Sequence, residues 1–414
     1  MSQPSEGSFF QLDKIPPSPH HRHQRSLESV LDFKHIPLTA PERTRAEKIF
    51  HRCLEASAPI TDGPLPFNGV KLLKFSLQYN PSEQGIDNFL NYTLRNYDED
   101  PNPDPGLPFS QVLDHLDQTL STWSSPPPEW VASRTAELAD LLMNSFFLPL
   151  KGQASRTPQP TPSLSPVGGG LHTPTRTRVS NLRLTCLHRD AHKCVITGYF
   201  DRATAQGRNP LVNDSGQPLT PDDVLVTEVA HIIPHALGEA AFWDVMKLFH
   251  PGMEPLLNGV EIDRPFNAMT LTPDLHQAFG KLEWYLEEDS TEPHAYFFKD
   301  SPGVHLPANA MMRPKNDRER VKFISADNTD LPEPGLLRLH AACAMILGMS
   351  GAGDYIEKLL RDEESIRSGR CGKELERGDL SLAAMVEWRL AFWAATSRGN
   401  LSPTTAGTLV INTQ

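Results

Sequence analysis

Apolar side chains recur every three to four positions through ERTRAEKIFHRCLEA, after Pro41, and that spacing predicts an amphipathic helix. The same period runs through GIDNFLNYTL. It returns in PPPEWVASRTAELADLLMNSFF, where a proline brake precedes Trp130, Leu138, Leu141 and Leu142. Residues 26–150 therefore read as a helical region. The pattern stops at GQASRTPQPTPSLSPVGGGLHTPT, which has too little apolar surface to order itself and predicts a flexible linker over 151–178. Past Val179 the periods mix. VSNLRLTCLHRDAHKCVITG predicts a short helix and then a strand near Cys194–Thr197. VLVTEVAHII is a β-branched run, EAAFWDVMKLF is helical, and LEWYLEE with HAYFFKD predicts a hairpin. GLLRLHAACAMILGMSG predicts an apolar helix packed on the preceding unit. A last amphipathic helix fits LSLAAMVEWRLAFWAA. The expected organisation is a disordered 1–25, the helical 26–150, the linker 151–178, a mixed unit over 179–300, a helical extension over 301–370 and a weakly structured 371–414.

Composition sharpens this picture. The chain has 414 residues, 38% of them hydrophobic, with 38 prolines and 26 glycines, which suits globular parts joined by loose ones. Five cysteines, an odd number without C-x-x-C spacing, argue against a disulfide framework and a cysteine-rich zinc ribbon. No apolar leader core and no run of 18 apolar residues is present, so the expectation is an intracellular protein, nuclear or cytoplasmic, away from membranes. A net charge of −12 argues against a protein that coats nucleic acid. The charge is uneven, however. Residues 151–194 hold seven Lys or Arg against the single acid Asp190. Arg176, Arg178, Arg183, Arg189 and Lys193 are the candidate phosphate contacts there, and a solvated flank is the alternative.

Three residues carry candidate chemistry. His231 ends the apolar run TEVAH. Asn267 opens NAMTLTPDLHQAFG, and His276 follows it by nine residues. AMTL reads as a strand, Thr272 as a helix N-cap and Pro273 as the first helical residue. The predicted order is strand, long loop, strand, helix, with His, Asn and His at the junctions. A satisfied core histidine would account for His231 alone, but not for the ordered set.

That set, with CVITG upstream, EVAHIIPHALGE around His231, NGVEIDRPFNAMTLTPDLHQAFG, and LEWYLE downstream, resembles the HNH endonucleases of the ββα-metal superfamily. It is similar to fungal HNH nuclease-domain proteins in particular. The resemblance spans about 179–365 and implies an α+β fold: a ββα-metal nuclease core over 179–300 with an N-terminal helical region, a flexible linker and a C-terminal helical extension. It also implies a metal-dependent nuclease acting on nucleic acid, DNA before RNA. His231 would be the general base, Asn267 the residue that fixes His231 through backbone bonds, and His276 a ligand to a divalent metal, Mg²⁺ first, with Mn²⁺ or Zn²⁺ as alternatives. An imidazole with an ordinary pKa near 6.5 suits the base role.

Two positions depart from the family pattern. Where many HNH nucleases have Asp or His before the first histidine, this chain has Ala230. Glu228, two residues earlier and on the same strand face, is the candidate replacement ligand. One helical turn past His276, where a second ligand often stands, is Gly280. These departures keep open a second expectation, an HNH-fold binding or protein-interaction module without efficient catalysis. Asp263 and Arg264 read as a salt bridge more readily than as phosphate contacts. His235 is separated from His231 by Pro234. Cys186, Cys194, His188 and His192 match no usual zinc spacing. Oligomeric state has no signal in the sequence.

Overall fold

The computed structural model describes residues 37–58, 67–98, 107–123, 129–154, 176–207, 212, 216–234, 240–257, 259–309, 311–314, 319–325 and 327–367. The expectations for 1–25 and 371–414, the helix around LSLAAMVEWRLAFWAA, linker residues 155–175 and His235 lie outside these residues.

The N-terminal part is helical. It runs through α1 (Ala40–Ser57), α2 (Gly69–Gln78), α3 (Glu83–Asn96), α4 (Phe109–Thr122) and α5 (Glu129–Leu142), and passes through a π turn at Met143–Phe147 into α6 (Leu148–Ala154). α1 starts on a capping box: Thr39 accepts from the Glu42 amide while Glu42 reaches back to the Thr39 amide. α2 and α4 are additions to the sequence-based expectation. α6 carries helix into the expected linker because Lys151 is buried there, with its ammonium 2.8 Å from Glu357. α7 (Arg176–Arg189) enters the same stretch from the other side.

Next come β1 (Phe200–Asp201), α8 (Arg202–Gly207), β2 (Val224–Leu225), β3 (Glu228–His231), α9 (Ala240–Met246), α10 (Glu254–Leu257), β4 (Ala268–Leu271) and α11 (Pro273–Gly280). The strand expected at Cys194–Thr197 is replaced by a turn. Gly198, at φ 72°, reverses the chain and donates its amide to the Cys194 carbonyl, so the first strand starts only at Phe200, which bridges back to Lys193. β1 and β2 pair in parallel, and β3 and β4 pair antiparallel. The expected hairpin is present as β5 (Trp284–Glu288) and β6 (Ala295–Asp300), and β7 (Arg320–Lys322) adds a third antiparallel strand. α12 (Pro334–Ser350) and α13 (Ala352–Arg367) complete the described chain, with Gly351 at φ 74° making the turn between them. Among the described residues, helices with three small sheets make the fold α+β. Among the described residues no single helix is long and apolar enough to cross a membrane.

One buried cluster runs through the N-terminal helices, the β3–α11 segment, the hairpin and α12. Its aromatic centre joins distant parts of the chain. Phe249, just past α9, stacks on Phe146 at 4.9 Å and meets Phe147 and Phe89 at 6.0 and 6.3 Å. Trp284 of β5 stacks on Phe298 of β6, and the buried His340 of α12 lies flat on Phe279 of α11 at 3.7 Å.

Candidate active site

The β3–β4 pair sets the geometry. Its register places Glu228 opposite Leu271, Val229 opposite Thr270, Ala230 opposite Met269 and His231 opposite Ala268. Paired residues share a face and neighbours alternate. Glu228, Ala230, Met269 and Leu271 therefore face one side, and Val229, His231, Ala268 and Thr270 the other. α11 covers the first side, because its His276 Nδ1 lies 2.9 Å from Glu228 Oε2. α7 covers the second, where Leu182 and Cys186 pack on Ala268 and Val229. A residue directly before His231 would point to the α11 side. Glu228 points there too, one step earlier along the strand.

Each histidine of the set meets a carboxylate. His231 Nε2 lies 3.2 Å from Asp263 Oδ1, and both side chains are mostly buried. An ionised carboxylate only accepts, so a hydrogen bond to it from a neutral His231 ring needs the proton on Nε2. The sequence reading weighed Asp263 as an ion-pair partner without giving it a place beside His231. Its only linear signal is its position four residues before Asn267, in the 3₁₀ stretch Gly259–Asp263.

Asn267 is fully buried and joins the two ends of the long β3–β4 connection. Its Oδ1 accepts from the Ile233 amide at 2.9 Å, and its Nδ2 donates to the Ile233 and Ile262 carbonyls at 3.0 Å each. Its own carbonyl accepts from the Ile232 amide at 2.8 Å. The chain is thereby closed immediately after His231 and immediately before Asp263. A shorter or apolar side chain would leave three buried backbone groups unmatched.

Thr272 and Pro273 start α11 at the expected residues, yet the Thr272 hydroxyl makes no capping bond and stays buried without a partner. Proline at the first position sets the helix start, since its missing N–H is one of those left unpaired anyway. At the other end, the Phe279 carbonyl accepts from His340 Nε2 at 3.1 Å.

The Glu228–His276 pair offers a cation two donor atoms, which are hydrogen-bonded to each other in this structure. Their facing atoms are 2.9 Å apart, which is close to the edge between neighbouring ligands of an octahedral ion with bonds of about 2.1 Å. One carboxylate oxygen and one imidazole nitrogen, without thiolate, suit a hard or borderline ion that keeps its other positions for water and substrate. Among the described residues no group of three or more His, Cys, Asp or Glu side chains is placed to hold a metal. Ala230 is buried and Gly280 offers no side chain, so neither adds a ligand.

The basic candidates separate. Arg189 is an internal residue: its guanidinium is sealed from solvent and bonded to Asp190 and to the carbonyls of Pro265, Ala268 and Asp330. Arg183 is likewise turned inward, to the Thr227 carbonyl and to Asp201, both at 2.7 Å. The Lys193 ammonium stands 4.7 Å over the Phe200 ring. Arg176 and Arg178 lie in the first turn of α7. A sealed guanidinium is not available to a phosphate, so the expected basic strip loses Arg189, while Arg183, partly exposed, is engaged with Thr227 and Asp201. Among the cysteines, Cys186 and Cys194 are buried, and desolvation pushes the Cys186 thiol up to about 12, away from a metal-binding thiolate.

No curated protein and no solved structure matches the chain. A family described as HNH endonuclease does match, over residues 194–287, a segment that holds His231, Asp263, Asn267, His276 and Glu228 and supports an HNH nuclease domain there.

Proposed function

We propose that this protein is a divalent-metal-dependent endonuclease that hydrolyses phosphodiester bonds in nucleic acid, DNA before RNA. The observation that carries this reading is the β3–turn–β4–α11 unit inside the HNH match, in which Asn267 closes the connection and each histidine meets its own carboxylate. His231 is the general base that takes the proton of the attacking water, and Asp263 orients its ring. Glu228 and His276 would hold a divalent cation, which would supply charge stabilisation at the phosphate and leaving oxygen. Asn267 touches backbone alone and acts by placing His231. The start of α7, with Arg176 and Arg178, and Lys193 are the remaining candidates for backbone phosphates. With a net charge of −12, general affinity for nucleic acid is expected to be weak and to fall with salt.

A second reading is an HNH-fold interaction module. It is favoured by one observation: Ala230 and Gly280 stand where further ligands would be, leaving two side chains for a metal. A plasmid-nicking assay with Mg²⁺, Mn²⁺ and Zn²⁺ separates the two. His231→Ala is expected to lower turnover by about 10²–10⁴-fold, the usual worth of a general base, with thermal melting little changed. Glu228→Ala is expected to raise the metal concentration for half-maximal rate. Full activity in His231→Ala would overturn the mechanism. A folded wild type that nicks nothing with any of the three metals would select the interaction module.

A further inference from the structure

We propose that Arg189 is a positioning residue for the His231–Asp263 pair, a role that rests on the nuclease reading of that pair. Arg189 closes α7 with a side chain of 0% exposure. Its Nε and Nη2 fork onto the two oxygens of Asp190 at 2.7 and 3.0 Å. The remaining donors reach three carbonyls: Pro265 at 2.7 Å, Ala268 at 2.9 Å and Asp330 at 3.1 Å. The choice of acceptors is what matters. Pro265 and Ala268 bracket Asn267. Pro265 lies two residues after Asp263, and Ala268 is the residue paired with His231. Asp190 completes the grip by accepting the Thr270 amide at 3.0 Å.

One guanidinium thus fixes the peptide that presents Asp263 and the strand position opposite His231. Asn267 ties the same turn from within. From the far side the segment before α12 joins it: Arg264 Nη2 meets Asp330 at 2.5 Å, and the Glu333 amide donates to the Phe266 carbonyl at 2.8 Å. A residue that merely anchored α7 would need no bond to both sides of Asn267. Only a planar fork with five donors in fixed directions serves all these acceptors. A lysine, a point charge with three donors on one atom, can stay beside Asp190 but cannot span Pro265 and Ala268 together.

The test reads the His231 ring directly, so it does not depend on nuclease activity. In the wild type, ring ¹⁵N shifts of the neutral His231 are expected to report the Nε2–H form. Arg189→Lys is expected to give a mixture of the two tautomers as Asp263 drifts. Its nicking rate should fall in kcat by on the order of 10²-fold, the scale of a misplacement of about 1 Å, with KM little changed. Arg45→Gln, which breaks the Arg45 pairs with Asp114 and Asp117 on the outer N-terminal helices, is the control for destabilisation alone and should alter neither reading. If Arg189→Lys does not fold, hydrogen exchange in the wild type decides. The amides of Ile232, Ile233 and Thr270 should then open together with that of Asp190, as one unit. An unchanged tautomer in folded Arg189→Lys, or turn amides that open independently of Asp190, overturns the brace and leaves the nuclease reading intact. A wild type without nuclease activity, with the tautomer change still seen in Arg189→Lys, overturns the nuclease reading and leaves the brace.

Discussion

At the scale of single residues, the site separates chemistry from scaffolding. His231 and His276 each set a ring nitrogen against a carboxylate, whereas Asn267 spends its whole amide on backbone. Their substitutions should therefore fail in different ways. Asn267→Ala removes three bonds and leaves the Ile233 amide and the Ile233 and Ile262 carbonyls buried without that partner. At roughly 1–3 kcal/mol for each unsatisfied group, a loss of about 3 kcal/mol or more is expected in urea unfolding. Asn267→Asp should be worse than alanine, because its acceptor-only carboxylate would face two carbonyls in a dry site. His231→Ala should lower turnover at a smaller cost in stability, since its ring meets the Asp263 side chain whereas Asn267 ties three backbone groups. If Asn267→Ala unfolds at the wild-type urea midpoint, the amide does not close the loop as described.

Among the elements, the chain made some parts legible and concealed others. β3, β4 and α11 could be read because their cues are local: β-branched residues before His231, and Thr272–Pro273 at the start of α11. The helical spacing of α1, α3 and α5 was equally local. The Glu228–His276 contact followed from strand alternation. Asp263 beside His231 did not, since it depends on a long connection folding back through 3₁₀ turns, which no period announces. Arg183 and Arg189 looked like a solvated basic strip because linear charge carries no sign of burial. Tertiary carbonyls decided their place, with Asp201 for Arg183 and Asp190 for Arg189. His340 is another such case. It reads as one polar residue in an apolar helix, yet it is entirely buried between α12 and α11, and desolvation pushes it down to about 4. Its folded pKa lies below the ordinary value of 6.5, so the folded state resists protonation. Its contribution is complete above about pH 6.5 and is lost as pH falls from there towards 4, worth about 3 kcal/mol over that window at about 1.4 kcal/mol per unit. Urea unfolding at pH 7 and pH 4.5 should show this loss, and His340→Gln should flatten it. An equal pH dependence in His340→Gln would place the effect on other groups.

Over the whole molecule, the nuclease segment and the N-terminal helices share one interior. The connection between His231 and Asn267 sends α9 towards the helical region, and the chain just beyond α9 is capped from there. Asn88 donates to the Lys247 carbonyl at 2.9 Å, Asn80 to Leu248 at 2.8 Å and the Ser82 hydroxyl to Phe249 at 2.7 Å. Three consecutive carbonyls at a helix end are thus satisfied by side chains more than a hundred residues earlier. The approach is tight: a Cβ at Gly85 would stand 2.1 Å from the Phe249 carbonyl oxygen and 2.2 Å from Asn80 Oδ1. Behind it, Phe249 fills the space among Phe146, Phe147 and Phe89. Cutting the chain down to 179–300 would strip those partners, expose Phe242 and Phe249, and uncap the end of the connection that carries Asp263 and Asn267. The fragment is expected to lack a cooperative thermal transition and a dispersed amide spectrum, while residues 37–367 show both. Gly85→Ala is the single-residue version of the same test. Its methyl has to displace a backbone carbonyl, so it should destabilise by about 1–3 kcal/mol or more, as overpacking does, and lower nicking activity although Gly85 lies outside the HNH segment. A 179–300 fragment that melts cooperatively and nicks DNA at the full-chain rate would show that the helical region is an attachment and that the shared core is dispensable to the site.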